Sequence, residues 1–131
     1  MTVASPKYIV DTCSFTMLRR VYPREMFSPV WALLSDLATS GVVASIDQVL
    51  EELRVQEDDV VTKWAEAHAS IFLPLDAPIQ TKAKEVLARF PQNFLDLRKR
   101  TSGADPFVVA AAIVNTAAVV TEEKRTGGRA G

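Results

Sequence analysis

Short apolar runs alternate with stretches of helical spacing along this chain, and this alternation restricts the fold more than any other feature. Four runs have the length and composition of β-strands: residues 7–11, 42–45, 71–74 and 118–121. Between them, apolar side chains recur every three or four residues, as they do on amphipathic helices. Strands that are separated by helices pair in parallel through right-handed crossovers. The sequence therefore predicts an α/β protein, a three-layer α/β/α sandwich with a central, mainly parallel sheet.

The predicted helices are bounded by residues that end helices. The six helical stretches are residues 12–20, 27–38, 46–53, 58–69, 76–90 and 105–115. Tyr22-Pro23 ends the first helix, Gly41 follows the second, and Pro91 ends the fifth. Pro74 ends the third strand, which we expect at an edge of the sheet because proline cannot donate a ladder hydrogen bond.

The length of 131 residues gives room for one domain. We expect this domain to span residues 1–125 and residues 126–131 to form a disordered tail. Cys13 is the single cysteine, so no disulfide framework is available and a reducing, cytoplasmic setting is expected. No apolar run is long enough to span a bilayer, and the start of the chain lacks the pattern of a signal peptide.

Acidic residues follow two of the predicted strands. Asp11 comes directly after the first strand, and Glu122 and Glu123 come after the last. In an open parallel sheet, the functional crevice lies beyond the carboxyl ends of the strands. Two further acids, Glu52 and Asp105, stand within the third predicted helix and at the start of the last one. Carboxylates gathered at one edge repel each other and would need a cation to hold them together.

Each acid also has a structural explanation. Asp11 suits the N-cap of the following helix. Asp105 is followed by proline, which is the usual pattern of a helix start. Glu52 and its neighbour Glu51 suit a solvated helix face. Taken singly, none of these residues establishes a functional site.

Together, the acids favour a site for Mg²⁺ or Mn²⁺. These ions prefer oxygen ligands, bind through few carboxylates and keep several waters. Such an ion polarises a phosphodiester and lowers the pKa of an attacking water. The combination therefore predicts phosphodiester hydrolysis without a protein nucleophile.

Four segments, in this order, resemble the motifs of PIN-domain nucleases. They are an apolar strand that ends in Asp-Thr, a Glu-Leu pair on a helix, an aspartate that opens a helix of small residues, and a Val-Thr strand end with an acid two positions on. In this chain the segments are Tyr8–Phe15, Gln48–Leu53, Ala104–Ala112 and Val119–Lys124. The likeness is to an uncharacterised bacterial branch related to the VapC-like toxins.

This resemblance implies a PIN-like fold and a Mg²⁺- or Mn²⁺-dependent endoribonuclease, the toxin component of a toxin–antitoxin pair. RNA would be the substrate and an antitoxin protein the partner. Related toxins are commonly dimers, so a homodimer is expected as well. The residues that the resemblance assigns to metal binding and catalysis are Asp11, Glu52, Asp105 and Glu123.

This chain departs from the family pattern at three points. Cys13 stands where many members have asparagine. Glu122 and Glu123 leave the fourth acid open between two residues, although the spacing favours Glu123. Relatives also add a last helix and strand after this position, which the chain would lack. These departures motivate an alternative, a catalytically degenerate or truncated PIN-like module that acts by binding a protein.

Hydroxyl and basic side chains add further candidates. Thr12, Ser14 and Ser45 could position an acid or a water, or serve only helix starts and strand ends. Because the formal net charge is −1, contacts to RNA phosphates would have to come from local patches. The two basic patches are Arg98–Arg100 and a group made of Arg19, Arg20 and Arg24.

Two other kinds of enzyme are not favoured. Thiol catalysis would need His68 near Cys13, and nothing in the sequence brings them together. A phosphatase of the haloacid-dehalogenase type would need a second aspartate two positions after Asp11, and that position is Cys13.

Overall fold

The computed structural model describes residues 5–55, 59–89 and 106–121. Within them, four strands form one all-parallel sheet in the order β3-β2-β1-β4. The strands are β1 (Tyr8–Val10), β2 (Val43–Ile46), β3 (Phe72–Leu73) and β4 (Ala118–Val120). Tyr8 is paired with Val43 on one side and with Ala118 on the other. The predicted α/β fold with a parallel sheet is therefore confirmed.

Six α-helices lie in the described part of the chain, together with one turn of 3-10 helix at Ala69–Ile71. The α-helices are α1 (Thr12–Val21), α2 (Ser28–Thr39), α3 (Asp47–Val55), α4 (Asp59–Ala67), α5 (Ala77–Arg89) and α6 (Pro106–Asn115). None of the helices in these residues is long and apolar enough to cross a membrane.

The strand order explains how the helices are divided between the two faces of the sheet. The chain moves outward from β1 to β2 and β3, then returns across the sheet to β4 on the other side of β1. Right-handed crossovers place helices of the outward path on one face and those of the return path on the other. The contacts agree, because α1 packs against α3 and α4, whereas α6 packs against α5 and against β1, β2 and β4. The result is the predicted three-layer sandwich.

Aromatic side chains fill the layer between the sheet and the helices of the outward path. The Phe15 ring lies 5.9 Å from the rings of both Trp64 and Phe72. Buried Trp31 donates its indole N–H to the carbonyl of Tyr22 at 2.7 Å. This pairing of a buried polar group is what a stable core requires. The aromatic cluster fixes α1, and with it the residue that precedes α1, against the sheet.

Small residues let α6 lie close to the sheet on the other face. Val108, Ala110, Ala111 and Ala112 are all buried. Apart from Asn115 the helix carries only apolar residues, and such a helix belongs in an interior. Its position between the sheet and α5 buries this inner side, while Ile113 and Val114 near its end stay exposed.

Most predicted boundaries lie within one or two residues of the observed ones, and the main differences concern Ile46, the end of α4 and the length of β3. Ile46 was predicted in a helix, but it is the fully buried last residue of β2, and α3 begins one residue later. The predicted helix over residues 58–69 is interrupted after Ala67 and continues as a 3-10 turn that takes in Ile71. β3 is thus only two residues long, and within the described sheet it pairs with β2 alone, as expected of an edge strand.

Candidate functional site at the carboxyl edge of the sheet

Asp11 stands at the middle of the carboxyl edge of the sheet. It follows β1, which lies between β2 and β4, and it is only 3% exposed. Its backbone N–H donates to the carbonyl of Val120 at 3.0 Å, which continues the pairing of β1 with β4. Its Oδ1 accepts from the N–H of Thr12 at 2.7 Å, so the carboxylate caps α1. The N-cap role is therefore observed, and it uses one of the two carboxylate oxygens.

The second oxygen of Asp11 faces side chains from the end of β4 and the start of α1. The hydroxyl of Thr121 donates to Asp11 Oδ2 at 3.3 Å, and the thiol of Cys13 donates to it at 3.7 Å. Cys13 Sγ and Thr121 Oγ1 are themselves 3.3 Å apart. Ser14 adds a bond from its hydroxyl to the carbonyl of Val120 at 3.1 Å. These contacts join the first turn of α1 to the end of β4.

Glu52 is connected to this group through Thr12. The Thr12 hydroxyl donates to Glu52 Oε1, while the Thr12 backbone N–H donates to Asp11. Thr12 therefore contacts both the carboxylate of Asp11 and a carboxylate that comes from α3. Of the sequence-predicted ligands, Asp11 and Glu52 are thus brought to the same edge of the sheet.

Glu51 points in a different direction from Glu52. It accepts from Arg54 Nη1 at 2.5 Å, and Arg54 Nε donates to Glu66 on α4 at 3.1 Å. Hydrogen bonds to Glu66 and then to Glu51 raise the pKa of the Arg54 guanidinium. The two neighbouring glutamates therefore have separate surroundings, one at the start of α1 and one in an exposed ion-pair group.

Ser45 fixes the end of β1 against β2. Its side chain is fully buried, and its hydroxyl donates to the carbonyl of Val10 at 2.6 Å. The sequence suggested that this hydroxyl could hold an acid or a water. It holds instead the backbone of the residue before Asp11, and so positions that carboxylate indirectly.

Other predicted site residues lie outside the described part of the chain. They are Asp105, Glu122, Glu123 and Arg98–Arg100. Within the described residues, no group of three or more histidine, cysteine, aspartate or glutamate side chains gathers at one point.

Two arginines of the predicted basic patch lie away from this edge, and His68 has a packing role. Arg19 and Arg20 are in the last turn of α1, about 12 Å along the helix from Asp11 at 1.5 Å per residue. His68 stacks on Trp64 with ring centroids 4.3 Å apart, and its Nδ1 lies 2.9 Å from the Trp64 carbonyl. His68 is therefore packed against Trp64.

Thr121 is the residue of this group that sequence reasoning did not single out. It was read only as the end of the last strand. The available signal was the strand order, because pairing of Val10 with Val120 puts positions 11 and 121 level with each other. Adjacent parallel strands always bring the residues that follow them to one edge.

The fold and the edge described above define an α/β protein with a parallel sheet and a polar group at the carboxyl end of its central strands. The chain belongs to the family described as a domain of unknown function, DUF4411, whose model matches residues 8–130. No curated protein and no solved structure matches the chain. The strand order and helix layers are also compatible with a PIN-like sandwich.

Proposed function

We propose that this protein is a Mg²⁺- or Mn²⁺-dependent endoribonuclease with a PIN-like fold, and the toxin component of a toxin–antitoxin pair in the cytoplasm. One observation carries the proposal. Asp11, a buried carboxylate at the carboxyl edge, is linked by hydrogen bonds to Thr121 and, through Thr12, to Glu52. Three of the four segments that resemble PIN motifs thereby meet at this edge.

The donor atoms at this edge suit a hard cation. They are carboxylate oxygens of Asp11 and Glu52 and hydroxyl oxygens of Thr12 and Thr121. Mg²⁺ and Mn²⁺ prefer such ligands. When bound, the ion would polarise a phosphodiester and make an attacking water more acidic. In the proposal, Asp11, Glu52, Asp105 and Glu123 hold it.

The direction of α6 supports including Asp105. Helix α6 ends at Asn115 and β4 begins at Ala118, so helix and strand are joined by a tight turn. The helix therefore runs back along the sheet, and its first residue, Pro106, lies toward the carboxyl edge. Asp105 is the preceding residue in the sequence.

Each of these residues would have its own role in the site. The Thr12 N–H holds Asp11 Oδ1, which leaves Oδ2 on the side of Thr121 and Cys13. The Thr12 hydroxyl orients Glu52. Arg98–Arg100 would neutralise phosphates of the RNA, since such contacts dominate the affinity for nucleic acid.

Cleavage of RNA by matched variants tests the proposal. We expect the wild type to cut RNA only with Mg²⁺ or Mn²⁺, and Asp11→Asn to lose at least about 100-fold in rate, as expected when a metal ligand is removed. Asparagine is as good an N-cap as aspartate, so the fold should be retained. Glu52→Gln should be impaired, whereas Glu51→Gln, at the ion-paired neighbour, should cut like the wild type. Unchanged cleavage by Asp11→Asn would contradict the proposal.

The alternative is a PIN-like module that binds a protein and does not cut RNA. It is motivated by Cys13, which contacts Asp11 at the position where many PIN members have asparagine. This alternative requires that the edge does not bind cations. Calorimetric titration with Mn²⁺ decides between the two, because binding that Asp105→Asn abolishes is expected only of the nuclease.

A further inference from the structure

The turn between α1 and α2, residues 22–27, displays two aromatic rings on the surface. Tyr22 is 39% exposed and Phe27 is 36% exposed. Their ring centroids lie 5.4 Å apart at an interplanar angle of 84°, so the rings meet edge to face. Such packing covers one face of only one of the two rings. Flat apolar surface therefore remains open to solvent at this turn.

The backbone of the α1–α2 turn is held in place from inside the domain. Buried Trp31 donates its indole N–H to the carbonyl of Tyr22 at 2.7 Å. The N–H groups of Met26 and Phe27 both donate to the carbonyl of Pro23, at 3.1 and 2.9 Å. Because these bonds fix the turn before any ligand arrives, a ligand that contacts the rings would lose little affinity to ordering of the protein.

Arginines surround the two rings. Arg19 and Arg20 are exposed in the last turn of α1, directly before the α1–α2 turn. Arg24 lies within it, with its guanidinium 5.6 Å from the ring centre of Trp31. Residues 19–27 hold three arginines and one glutamate, whereas the whole chain has a formal net charge of −1. This segment is therefore a basic patch on a chain that is net acidic elsewhere.

A cleft of about 270 Å³ continues the basic patch toward α4. It is lined by Arg24, Glu25, Val60 and Lys63. Among the residues that the structure describes, no ion pair involves the three charged side chains of this cleft. The two cations outnumber the one acid, so Lys63 gives the patch a further positive charge from a second helix.

We propose that the α1–α2 turn binds unpaired nucleotides of single-stranded RNA. Bases stack on Tyr22 and Phe27, because every base has a face that can stack on an aromatic ring. Phosphates of the same strand lie against Arg24, Lys63 and the arginines at the end of α1, where they are neutralised. The arginines alone would suit any polyanion, whereas the exposed rings select bases that are not already stacked in a duplex. The choice of RNA rests on the proposed function.

Fluorescence anisotropy with a labelled RNA strand, measured with EDTA so that nothing is cut, tests the rings. Tyr22→Leu keeps an apolar side chain and removes the ring, so the affinity should fall about tenfold while the circular dichroism spectrum stays the same. Tyr22→Phe keeps the ring and should bind like the wild type. The same sequence as a duplex should bind more weakly than the single strand.

Several results of this titration would overturn the proposal. They are failure of the wild type to bind the strand, equal binding by Tyr22→Leu, and equal or tighter binding of the duplex. Equal binding by Tyr22→Leu is the result expected if the rings contact a protein instead. Tighter binding of a DNA strand of the same sequence would overturn the choice of RNA. Because no divalent cation is present, a failure of the proposed nuclease activity would leave the binding result standing.

The salt dependence of binding tests the phosphate contacts separately from the rings. Arg24→Gln should weaken binding and reduce the slope of log affinity against log salt by about 0.7, the value for one phosphate contact on a single strand. Tyr22→Leu should leave this slope unchanged. Lys82→Gln is the matched control, since Lys82 is paired with Glu85 on α5 at 2.9 Å, and it should bind like the wild type. An unchanged slope in Arg24→Gln would refute the phosphate contact.

Discussion

Thr12 couples two of the proposed ligands with a single side chain and its own backbone. Its N–H donates to Asp11 and its hydroxyl donates to Glu52, which stands forty residues further along the chain. Residues that hold metal ligands in place commonly change affinity or activity by about 10- to 100-fold when they are replaced. Thr12 is a positioning residue in this scheme.

Replacing Thr12 should therefore separate orientation from ligation. Thr12→Val keeps the branched shape and removes the hydroxyl, and we expect RNA cleavage to fall about 10- to 100-fold and the affinity for Mn²⁺ to fall with it. Thr12→Ser keeps the hydroxyl and should stay close to the wild type. Equal losses of cleavage rate in Thr12→Val and Thr12→Ser would show that the hydroxyl does not position the ligands. The measurements are cleavage rates and calorimetric titration with Mn²⁺.

The sequence left two roles open for the side chain of Asp11, the N-cap of α1 and a metal ligand. In the structure Oδ1 caps α1, while Oδ2 faces Thr121 and Cys13, so the cap and the proposed ligand role involve different atoms. The cap could be foreseen because it depends on neighbours in sequence. The surroundings of Oδ2 could not, because they depend on which strand lies beside β1.

Among the elements, α2 and α6 end in the same hydrogen-bonded turn but with different residues at its critical position. At the end of α2, Gly41 has φ +84° and its N–H donates to Ala38. At the end of α6, Thr116 has φ +54° and its N–H donates to Ile113. The next residue in each case bonds the carbonyl five positions back, which completes a Schellman turn. A β-branched residue with positive φ is strained.

The two turns should respond to substitution in opposite directions. Thr116→Gly should raise the free energy of unfolding by about 0.5 to 1 kcal/mol, since relief of the strain exceeds the entropy that glycine adds to the unfolded chain. Gly41→Ala should lower it by about 1 kcal/mol from φ alone, because a Cβ at Gly41 would meet no atom within 4 Å. Urea denaturation measures both. A destabilised Thr116→Gly would show that the threonine side chain contributes more than its strain costs.

Element boundaries were predicted best where a local signal sets them. Gly41, Pro23 and the N-cap residue Asp11 act through their own backbone or that of near neighbours, and the helices beside them end or begin within one residue of the predicted positions. Ile46 was misassigned because its side chain suits a helix stripe as well as a strand. Its position was decided by burial within the sheet, which periodicity does not report.

For the whole molecule, a bound cation should stabilise the folded state. A ligand that binds only the folded protein adds about 2.7 kcal/mol at a free concentration of about 100 times its dissociation constant. We expect Mn²⁺ to raise the melting temperature of the wild type and to have no such effect on Asp11→Asn or Asp105→Asn. Glu51→Gln should respond like the wild type. A melting temperature that Mn²⁺ leaves unchanged in the wild type would count against the metal site.

The class and layering of the fold could be predicted because alternation of strands and helices leaves few arrangements. The assembly of the edge could be predicted only in outline. The alternation implied that the acids after parallel strands would share an edge, but not that Thr12 and Thr121 would connect them. Those contacts arise from strand order and side-chain direction, which no local pattern in the sequence specifies.

The pairing of the first strand with the last has a consequence for biosynthesis. Asp11 and Thr121 are 110 positions apart, and β4 is the last strand of the described sheet to be translated. Until β4 emerges from the ribosome, β1 lacks one of its two neighbours, and Asp11 lacks the carbonyl and hydroxyl that β4 brings to it. An unfinished chain therefore carries an incomplete edge. In a nuclease built in this way, the residues of the edge could not come together before β4 has been synthesised.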